Sequence, residues 1–324
     1  MRVCVTGGAG YVGSVVAEVL TSGGHDVVVL DNLSTGHRDA IPAGCALVEG
    51  DVRDDRALAR ALDGVEAVLH FAALSVVAES MRKPLDYFDN NVTGTTTLVR
   101  AMEARRIRRL VFSSTAAVYG TPSSLPITEE SVCRPENPYG WSKLTVEWML
   151  AASRAAWGLE YVALRYFNAA GATRACGEDH RPESHLIPIV LDAALGRRDS
   201  VTVFGDDYPT RDGTCVRDYV HVSDLAAAHV LALDAMGRGF SGALNLGSEN
   251  GFTVREVIAA TERVTGRPVR AGNGARRPGD PPALVASSAR AHEVLGWTQG
   301  QSDLDAIIAS ALAWRMRHPE GYQA

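Results

Sequence analysis

Residues 1–31 read MRVCVTGGAGYVGSVVAEVLTSGGHDVVVLD, and this stretch decides the fold. The apolar run Arg2–Thr6 predicts a buried strand, and the amphipathic segment Tyr11–Ser22 after it predicts a helix. The turn between them carries four glycines: Gly7, Gly8, Gly10 and Gly13. Glycine lets the backbone turn tightly and approach a phosphate group without a Cβ in the way, and the helix N-terminus adds unpaired N–H groups. The stretch therefore predicts a dinucleotide-binding βαβ unit.

Asp31 ends the second predicted strand, Val27–Leu30, and lies 18 residues after Gly13. A carboxylate at that strand end accepts hydrogen bonds from an adenosine ribose diol and repels a 2′-phosphate, so it favours NAD over NADP. Arg38 lies seven residues further on, but no arginine adjoins Asp31. The alternative, an aspartate that merely lies on the surface after a strand, is less consistent with a glycine turn of this spacing.

The first half of the chain alternates short apolar runs with longer amphipathic stretches, which is the pattern of βαβ units around a parallel sheet. Further strands are predicted at 46–49, 67–70, 109–113, 161–164 and 243–246, and helices at 55–62, 84–104 and 139–156. We predict an α/β fold: a Rossmann-type, doubly wound parallel sheet with a smaller, discontinuous C-terminal α+β substrate domain. Residues 1–167 would form the NAD-binding domain and 168–324 mainly the substrate domain, with segments of about 219–247 returning to the main sheet.

Composition and charge exclude several classes of function. Apolar residues make up 46% and charged residues 22% of the 324 residues, which is typical of a globular protein. The net charge of -6 offers no basic surface for nucleic acid or an anionic membrane, and no apolar run is long enough to span a bilayer. The glycine motif follows Met1 too closely to leave room for a signal peptide, and the five scattered cysteines show no zinc-ligand spacing. We therefore expect a cytoplasmic protein with no metal, nucleic-acid or membrane partner.

Tyr139 and Lys143 lie four residues apart, so a helix would place the phenol and the ammonium on one face. A free tyrosine has a pKa of about 10, and a neighbouring cation lowers that pKa toward the range of a useful base. On its own the pair is also typical of an ordinary amphipathic helix. A second feature strengthens it, because the hydroxyl-rich segment Ser113–Gly120 follows the fifth predicted strand. A hydroxyl there could hydrogen-bond the reacting oxygen, with Thr115 the first candidate and Ser114 the second.

Several further segments accompany these residues. They are 70-HFAAL-74, 89-DNNV-92, 165-RYFN-168, 205-GDDY-208, 212-DGT-214 and 216-VRDYVHVSD-224. With them, the chain resembles the extended short-chain dehydrogenase/reductase family and, within it, the UDP-glucose 4-epimerases, from residue 2 to about Tyr322. The resemblance implies that Tyr139 removes the proton of the sugar C4 hydroxyl while hydride passes to tightly bound NAD. Lys143 would lower the tyrosine pKa and hold the nicotinamide ribose, and Thr115 would replace the family's usual serine as the catalytic hydroxyl.

The resemblance also implies ligand contacts. Those for NAD are Gly7, Gly10, Tyr11, Val12, Gly13, Asp31, Asn32, Leu33, Ser34, Thr35, Gly36, Asp51, Val52, Phe71, Ala72, Ala73, Leu74, Ser75, Asn90, Thr115, Tyr139, Lys143 and Phe167. Those for the UDP-sugar are Thr115, Tyr139, Asn168, His185, Leu186, Thr202, Val203, Phe204, Arg217, Arg277, Asp280 and Leu284. Ser75 lies where the family can carry a lysine, and His185 where it can carry an asparagine. Arg217 and Arg277 could neutralise a diphosphate through forked, charge-assisted hydrogen bonds.

The expected reaction is the interconversion of UDP-galactose and UDP-glucose through a 4-keto sugar, with NAD regenerated in each cycle. Leu284 matches a position in the sugar pocket of the family where a bulky tyrosine is associated with excluding N-acetyl sugars and a small residue with admitting them. Leucine is intermediate in bulk, so the main alternative is a 4-epimerase of UDP-GlcNAc and UDP-GalNAc or of another UDP-hexose. A 4,6-dehydratase would need carboxylates after Thr115, where Ala116 and Ala117 follow instead. A simple NAD(P)H reductase and a non-catalytic NAD-sensing protein are further alternatives. The resemblance implies a homodimer through the helices at 84–104 and 139–156, whose apolar faces are equally explained by packing on the sheet.

Overall fold

The computed structural model describes residues 1–277 and 280–323. Its strands, in chain order, are β1 Arg2–Thr6, β2 Asp26–Asp31, β3 Ala46–Glu49, β4 Ala67–His70, β5 Arg109–Thr115, β6 Glu160–Tyr166, β7 Asn168–Ala170, β8 Val201–Phe204, β9 Val216–Arg217, β10 Tyr219–His221, β11 Gly242–Leu246, β12 Phe252–Thr253, β13 Ala271–Gly274 and β14 Ala283–Leu284. Its helices are α1 Tyr11–Ser22, α2 Asp55–Ala61, α3 Val77–Ser80, α4 Pro84–Phe88, α5 Gly94–Ala104, α6 Pro138–Trp157, α7 Leu186–Ala194, α8 Val222–Gly237, α9 Val254–Thr265, α10 Ala289–Leu295 and α11 Leu304–Arg317.

Of the described strands, seven form one parallel sheet in the order β11-β6-β5-β4-β1-β2-β3. The strand order reverses at β1, because the chain continues from it to β2 on one side and returns later to β4 on the other. The loops that leave β1 and β4 therefore diverge and open a crevice at the carboxyl ends of the strands, where such sheets bind ligands. The predicted Rossmann-type, doubly wound α/β sheet is confirmed.

Helices cover both faces of this sheet, as β1 illustrates. Val3 and Val5 pack with side chains of α1 and α8 on one face. Cys4 lies between them in sequence and packs with side chains of α2, α5 and α6 on the other face. Successive strand side chains point in opposite directions, so a strand buried on both faces reads as a continuous apolar run. That run is the signal from which the strand was predicted.

The predicted helix at 84–104 is confirmed, because these residues are helical throughout, and it has one irregularity. A wider turn of the π type, Asp89–Thr93, separates α4 from α5. Within it, the Asn91 Nδ2 donates to Leu74 O at 3.0 Å and to Ser142 Oγ at 2.9 Å, and Asn91 Oδ1 accepts from Leu74 N at 2.8 Å. These hydrogen bonds connect the π-type turn to the loop after β4 and to α6. Turns of the π type within α-helices often occur at functional sites.

The longest described helix, α6, carries the predicted catalytic pair in its first two turns. Asn137 caps it, because the Asn137 Oδ1 accepts a hydrogen bond from Gly140 N at 2.8 Å. Pro138 occupies the first helical position, where its missing N–H leaves no bond unmade. Among the described residues, no helix is both long and apolar enough to cross a membrane.

The C-terminal part forms smaller sheets packed with α7, α9 and α11 around a core that includes Ile187, Val257 and Ile307. β9 lies between β12 and β14, and this arrangement positions Arg217. Of the segment predicted to return to the main sheet, β11 pairs with β6, whereas β10 pairs with β7 in a separate two-stranded sheet. The division into two domains near residue 167 stays a prediction.

Candidate active site

A cavity of about 1080 Å³ opens at the carboxyl edge of the main sheet and is closed on its far side by residues of the C-terminal part. The turn after β1 and the ends of β2, β4 and β5 form one wall, and the start of α6 forms another. The size of this cavity is sufficient for ligands larger than a typical drug-sized molecule. The crevice predicted by the strand order and the cavity therefore coincide.

The glycines of the first turn are required by close backbone contacts. Gly7 has a φ of +73°, and a Cβ there would lie 2.5 Å from Ala72 N in the loop after β4. A Cβ on Gly13 would lie 2.2 Å from Gly7 O. A Cβ on Gly10 would meet only Gly7 O, at 3.3 Å. The turn thus packs against β4 on one side and leaves its backbone open to the cavity at Gly10.

Asp31 lies at the end of β2 on the cavity wall and is almost fully buried. Its carboxylate accepts hydrogen bonds from Ala9 N and Leu33 N, both at 2.9 Å. Burial raises the pKa of Asp31, and the two backbone bonds counteract part of that rise. Arg38, the nearby cation, donates instead to Glu49. The carboxylate keeps free lone pairs for a ribose diol, and the arginine that could favour a 2′-phosphate is already engaged.

Asp51, at the end of the third strand, is held as a carboxylate. Arg53 donates to it through Nε at 2.8 Å and Nη2 at 2.7 Å, and Asn32 Nδ2 donates at 3.0 Å. The hydrogen bonds from Arg53 lower the pKa of Asp51 to about 2. An ionised carboxylate accepts hydrogen bonds and donates none, which suits an amino group such as that of adenine.

Tyr139, Lys143 and Thr115 all line the cavity. Thr115 ends β5, and its hydroxyl accepts a hydrogen bond from Ala117 N at 3.2 Å, which starts a short 3-10 turn. A Cβ on Gly140 would lie 2.6 Å from Ala117 O, so α6 begins in close contact with this turn. This close contact places the Tyr139 phenol of α6 beside the Thr115 hydroxyl at the end of β5.

Burial has the largest effect on the pKa values of Lys143 and Tyr139. It lowers the pKa of Lys143 to about 7, although Glu147 acts in the opposite direction. It raises the pKa of Tyr139 to about 12, and the Thr115 hydroxyl offsets only part of that rise. The pKa of Tyr139 thus lies above that of a free tyrosine, and the expectation that Lys143 lowers it stays a prediction. The Lys143 ammonium lies 6.0 Å from the Tyr139 ring centroid and donates to Ser113 O at 2.8 Å, so the loss of water around the phenol dominates.

Four of the predicted UDP-sugar residues contact each other in two pairs. Arg217 on β9 forms an ion pair with Asp280, and its Nη1 also donates to Val216 O at 2.7 Å. Arg277 lies over the ring of Phe204, with its guanidinium carbon 4.1 Å from the ring centroid. Both arginines line the cavity. The cavity wall of this acidic chain therefore carries two guanidinium groups, one of them paired with Asp280.

The other predicted residues divide into two groups. Asn168, His185, Leu284 and most of the predicted NAD contacts line the cavity. Those outside its lining are Leu33, Gly36, Leu186, Thr202, Val203 and Phe204. Their contact with a ligand stays a prediction. Pro278 and Gly279 of the predicted Arg-Pro-Gly-Asp run lie outside the described residues.

Sequence reasoning missed Glu178, His180 and Glu183, which form a histidine–glutamate cluster with His185. All of these except Glu183 line the cavity. The His180 Nδ1 lies 3.2 Å from Glu178 Oε1. The His185 Nδ1 lies 2.8 Å from one oxygen of each glutamate. The spacing Glu-x-His-x-x-Glu-x-His was a visible signal.

The histidine–glutamate cluster has the donor types of a transition-metal site, and its candidate ligand atoms lie within 4.8 Å of one another. In the structure, His185 pairs with both glutamates. Burial would lower its pKa, but Glu178 and Glu183 raise it to about 10. The imidazole therefore stays protonated at neutral pH and is held by ion pairs.

The sequence matches the NAD-dependent epimerase/dehydratase family over residues 3–247. It is 53% identical over 321 residues to a UDP-glucose 4-epimerase from Streptomyces lividans, and the match covers 98% of this chain and 97% of that one. A crystal structure of a UDP-glucose 4-epimerase matches with a TM-score of 0.97 and 47% identity over 100% of both chains. The enzyme of that name from Bifidobacterium longum, solved with NAD+ and UDP, matches with a TM-score of 0.94 and 38% identity over 99% of this chain and 100% of that chain.

Proposed function

The chain belongs to the NAD-dependent epimerase/dehydratase family, and on that premise we propose that it interconverts UDP-galactose and UDP-glucose by inverting the sugar C4 centre. The observation that carries the proposal is the arrangement of one cavity. Thr115, Tyr139 and Lys143 line it together with the glycine turn and Arg217. The residues thus provide a base, a hydroxyl and a cation together with a dinucleotide site and a diphosphate site.

NAD fits the residues around the glycine turn. The backbone at Gly10 is open to the cavity, the helix α1 begins there, and Asp31 offers free carboxylate lone pairs. We propose that the glycine turn holds the pyrophosphate, that Asp31 holds the adenosine ribose, and that Lys143 holds the second ribose. When bound, NAD supplies the hydride acceptor and, in its oxidised form, a positive charge.

Tyr139 is the proton carrier of the proposed reaction. Its phenolate oxygen takes the proton of the C4 hydroxyl, and the same phenol returns a proton after the 4-keto sugar has turned its other face. The Lys143 ammonium, one helical turn further on, stabilises the phenolate. The Thr115 hydroxyl bonds the sugar oxygen and keeps it in line with the phenol.

Arg217 and Arg277 bind the nucleotide diphosphate in this proposal. Arg217 exchanges part of its pairing with Asp280 for the phosphate oxygens, and Arg277 adds a second cation. The hexose lies between these firm contacts and the phenol, with Leu284 in its pocket. Firm binding of UDP with loose binding of the sugar permits the rotation that inversion requires.

The test is to incubate the purified protein with UDP-galactose, without added NAD, and to measure UDP-glucose. We expect product formation, because the cofactor is regenerated in each cycle. Tyr139→Phe should lower kcat by about 10²- to 10⁴-fold because it removes the proton carrier. Tyr161→Phe makes the same change on β6 outside the cavity lining and should leave kcat unchanged. No product from NAD-loaded protein would refute the proposed function, and UDP-GalNAc offered in parallel measures the tolerance of the Leu284 pocket.

We also propose that two copies of the chain associate and that they work in the cytoplasm. Large apolar side chains on α4 and α6 are exposed: Leu85 is 79% exposed and Trp148 59%. The two helices pack against each other. Clustered exposure of this kind is typical of a protein–protein interface.

The five cysteines are free thiols, which suits a reducing compartment.

A further inference from the structure

A buried ion pair lies behind the wall that carries the reacting groups. Glu147 on α6 and Arg165 on β6 are each less than a tenth exposed. The Arg165 Nε donates to Glu147 Oε1 at 3.0 Å, and Nη2 donates to Glu147 Oε2, so the pair is forked. Removing two charges from water is costly, and such a pair adds little net stability over an apolar equivalent. A contribution to stability therefore does not explain why Glu147 and Arg165 are buried together.

Glu147 accepts a hydrogen bond from β5, the strand that carries Thr115. The Ser114 hydroxyl donates to Glu147 Oε1 at 2.5 Å, and Ser114 directly precedes Thr115 on β5. Glu147 also lies four residues after Lys143 and eight after Tyr139, so the three side chains follow one face of α6. The carboxylate thus joins the helix of the phenol to the strand of the hydroxyl, immediately behind both.

Arg165 extends the connection to the neighbouring strands. Its Nη1 donates to the Tyr119 hydroxyl at 2.9 Å, and that hydroxyl donates to Asn245 Oδ1 at 2.7 Å. Asn245 belongs to β11, so the network crosses from α6 through β6 to the edge of the main sheet. A fully bonded buried network of this kind fixes one arrangement of the elements that it joins.

The charge of Glu147 also faces Lys143. Burial lowers the pKa of Lys143 to about 7, and Glu147 is the group that raises it. The other titratable groups around Lys143 are Tyr139 on the same helix and His70 on β4. Burial and the lysine charge lower the pKa of His70 to about 3, so this histidine is neutral and supplies no counter-charge. Glu147 is therefore the acidic neighbour that favours the ammonium form.

We propose that Glu147, held by Arg165, is a positioning residue: it fixes the Thr115 end of β5 against the helix face that carries Tyr139 and Lys143. It touches no substrate and acts through these three residues. This inference rests on the proposed function, because the spacing that it sets is that of the reacting groups. The buried Glu147–Arg165 pair thus serves the reaction, and its purpose is not to stabilise the fold.

The test is Glu147→Gln, which keeps the shape and an acceptor for Ser114 but removes the charge. We expect kcat for UDP-galactose to fall by about ten- to hundredfold with KM and bound NAD unchanged, since misplaced reacting groups slow the chemical step without weakening binding. The alkaline limb of the pH–kcat profile should move to lower pH, because Lys143 loses its proton more readily. Glu147→Asp restores the charge and should return that limb toward the wild-type position.

Two further variants keep the result interpretable. Glu147→Gln leaves Arg165 buried without a partner, so the double variant Glu147→Gln/Arg165→Met removes both charges and should fold while showing the same loss of kcat. Glu160→Gln breaks the exposed Glu160–Arg109 pair, whose atoms lie 3.5 Å apart, and should keep wild-type kinetics. Unchanged kcat and pH profile in folded Glu147 variants would overturn the inference, as would a change in KM alone.

Failure of the proposed function can be distinguished from failure of the positioning role of Glu147, because wild-type protein would then form no UDP-glucose. In that case the Lys143 ammonium is titrated by NMR in wild-type protein and in Glu147→Gln. A lower Lys143 pKa in the variant, with unchanged unfolding behaviour in the double variant, would support the positioning role of the carboxylate. An unchanged Lys143 pKa would overturn it.

Discussion

Ser114 and Thr115 are adjacent, yet their hydroxyls have different partners. Ser114 bonds Glu147 behind the wall, whereas Thr115 lines the cavity. The two-residue period of a strand separates them. Thr115→Val should lower kcat/KM by about ten- to hundredfold, since a hydrogen bond to a group that develops charge is lost. Steady-state assays with UDP-galactose measure this.

Two variants serve as controls for the threonine. Thr115→Ser keeps the hydroxyl and should retain activity within a few-fold. Thr97→Val makes the same change on the exposed side of α5, where the hydroxyl donates to Thr93 O at 3.0 Å. It should leave kcat/KM unchanged. Equal activity in Thr115→Val and wild-type protein would remove Thr115 from the reaction.

His185 gives the histidine–glutamate cluster a pH-dependent stability. Its pKa rises from 6.5 to about 10 in the folded protein. A raised pKa means that the folded form binds the proton more tightly, so the stabilisation is complete below pH 6.5 and is lost as pH rises through about 10. Because His185 is half exposed, the effect should be about 1 kcal/mol or less.

The measurement is the free energy of unfolding of wild-type protein and His185→Gln across this range. The difference between them should be largest near the acid end and should disappear by pH 10. His25→Gln changes a histidine outside the cavity lining and should follow the wild-type profile at every pH. A difference that grows with pH would contradict the ion-pair assignment.

Residue spacing predicted which side chains meet at Tyr139, but not how they are charged. The four-residue interval to Lys143 places both groups on one helical face, and the structure has them on the same wall. The pKa values depend on how completely water is excluded, and burial depth follows from contacts between distant elements. The sequence therefore could not predict that burial raises the pKa of Tyr139.

At the scale of elements, the turn from β1 to α1 allows a paired test. Gly13→Ala would gain helix propensity but places its Cβ 2.2 Å from Gly7 O, so the steric conflict should win. We expect the free energy of unfolding to fall by about 1–3 kcal/mol. Denaturant unfolding without NAD measures it.

Gly10→Ala is the matched control. Its Cβ meets only Gly7 O, at 3.3 Å, so stability should change by no more than about 0.5 kcal/mol. Gly10 does line the cavity, and NAD affinity should therefore fall. Equal stability of the Gly13 and Gly10 variants would show that the close contact is not what requires glycine at position 13.

Apolar runs predicted the strands of the main sheet well, because both faces of that sheet are covered. The helix predicted at 84–104 also forms, but its π-type turn was not predicted. Its periodicity continues across the π-type turn, and the interruption comes from bonds between Asn91 and two distant segments. Bonds of that kind leave no periodic trace in the local sequence.

At the scale of the whole molecule, the exposed apolar side chains of α4 and α6 predict a dimer. Leu85→Glu combined with Trp148→Glu should shift the protein from the mass of two chains to that of one, measured by light scattering after size exclusion. Charged side chains would have to be desolvated in the contact. Val132→Glu, at a residue 80% exposed outside these helices, should leave the mass unchanged. A monomeric wild-type protein would contradict the proposal.

The sequence predicted the half of the cavity that belongs to the main sheet better than the half that faces it. Asp31 and Thr115 follow strands whose carboxyl ends share one edge, so their meeting follows from topology. Glu178 and His180 come from an irregular segment, and only the packing of that segment on the sheet brings them to the wall. Irregular segments carry no period from which such packing can be inferred.

Finally, the position of β11 has a consequence for how the protein is made. The sheet edge at β6 stays open until Leu246 has been synthesised, when about three quarters of the chain exists. Until then the nascent chain presents unpaired backbone groups along β6, and such an edge can pair with a strand of another chain. Premature termination before residue 242 should therefore yield an aggregating fragment in place of a separable nucleotide-binding module.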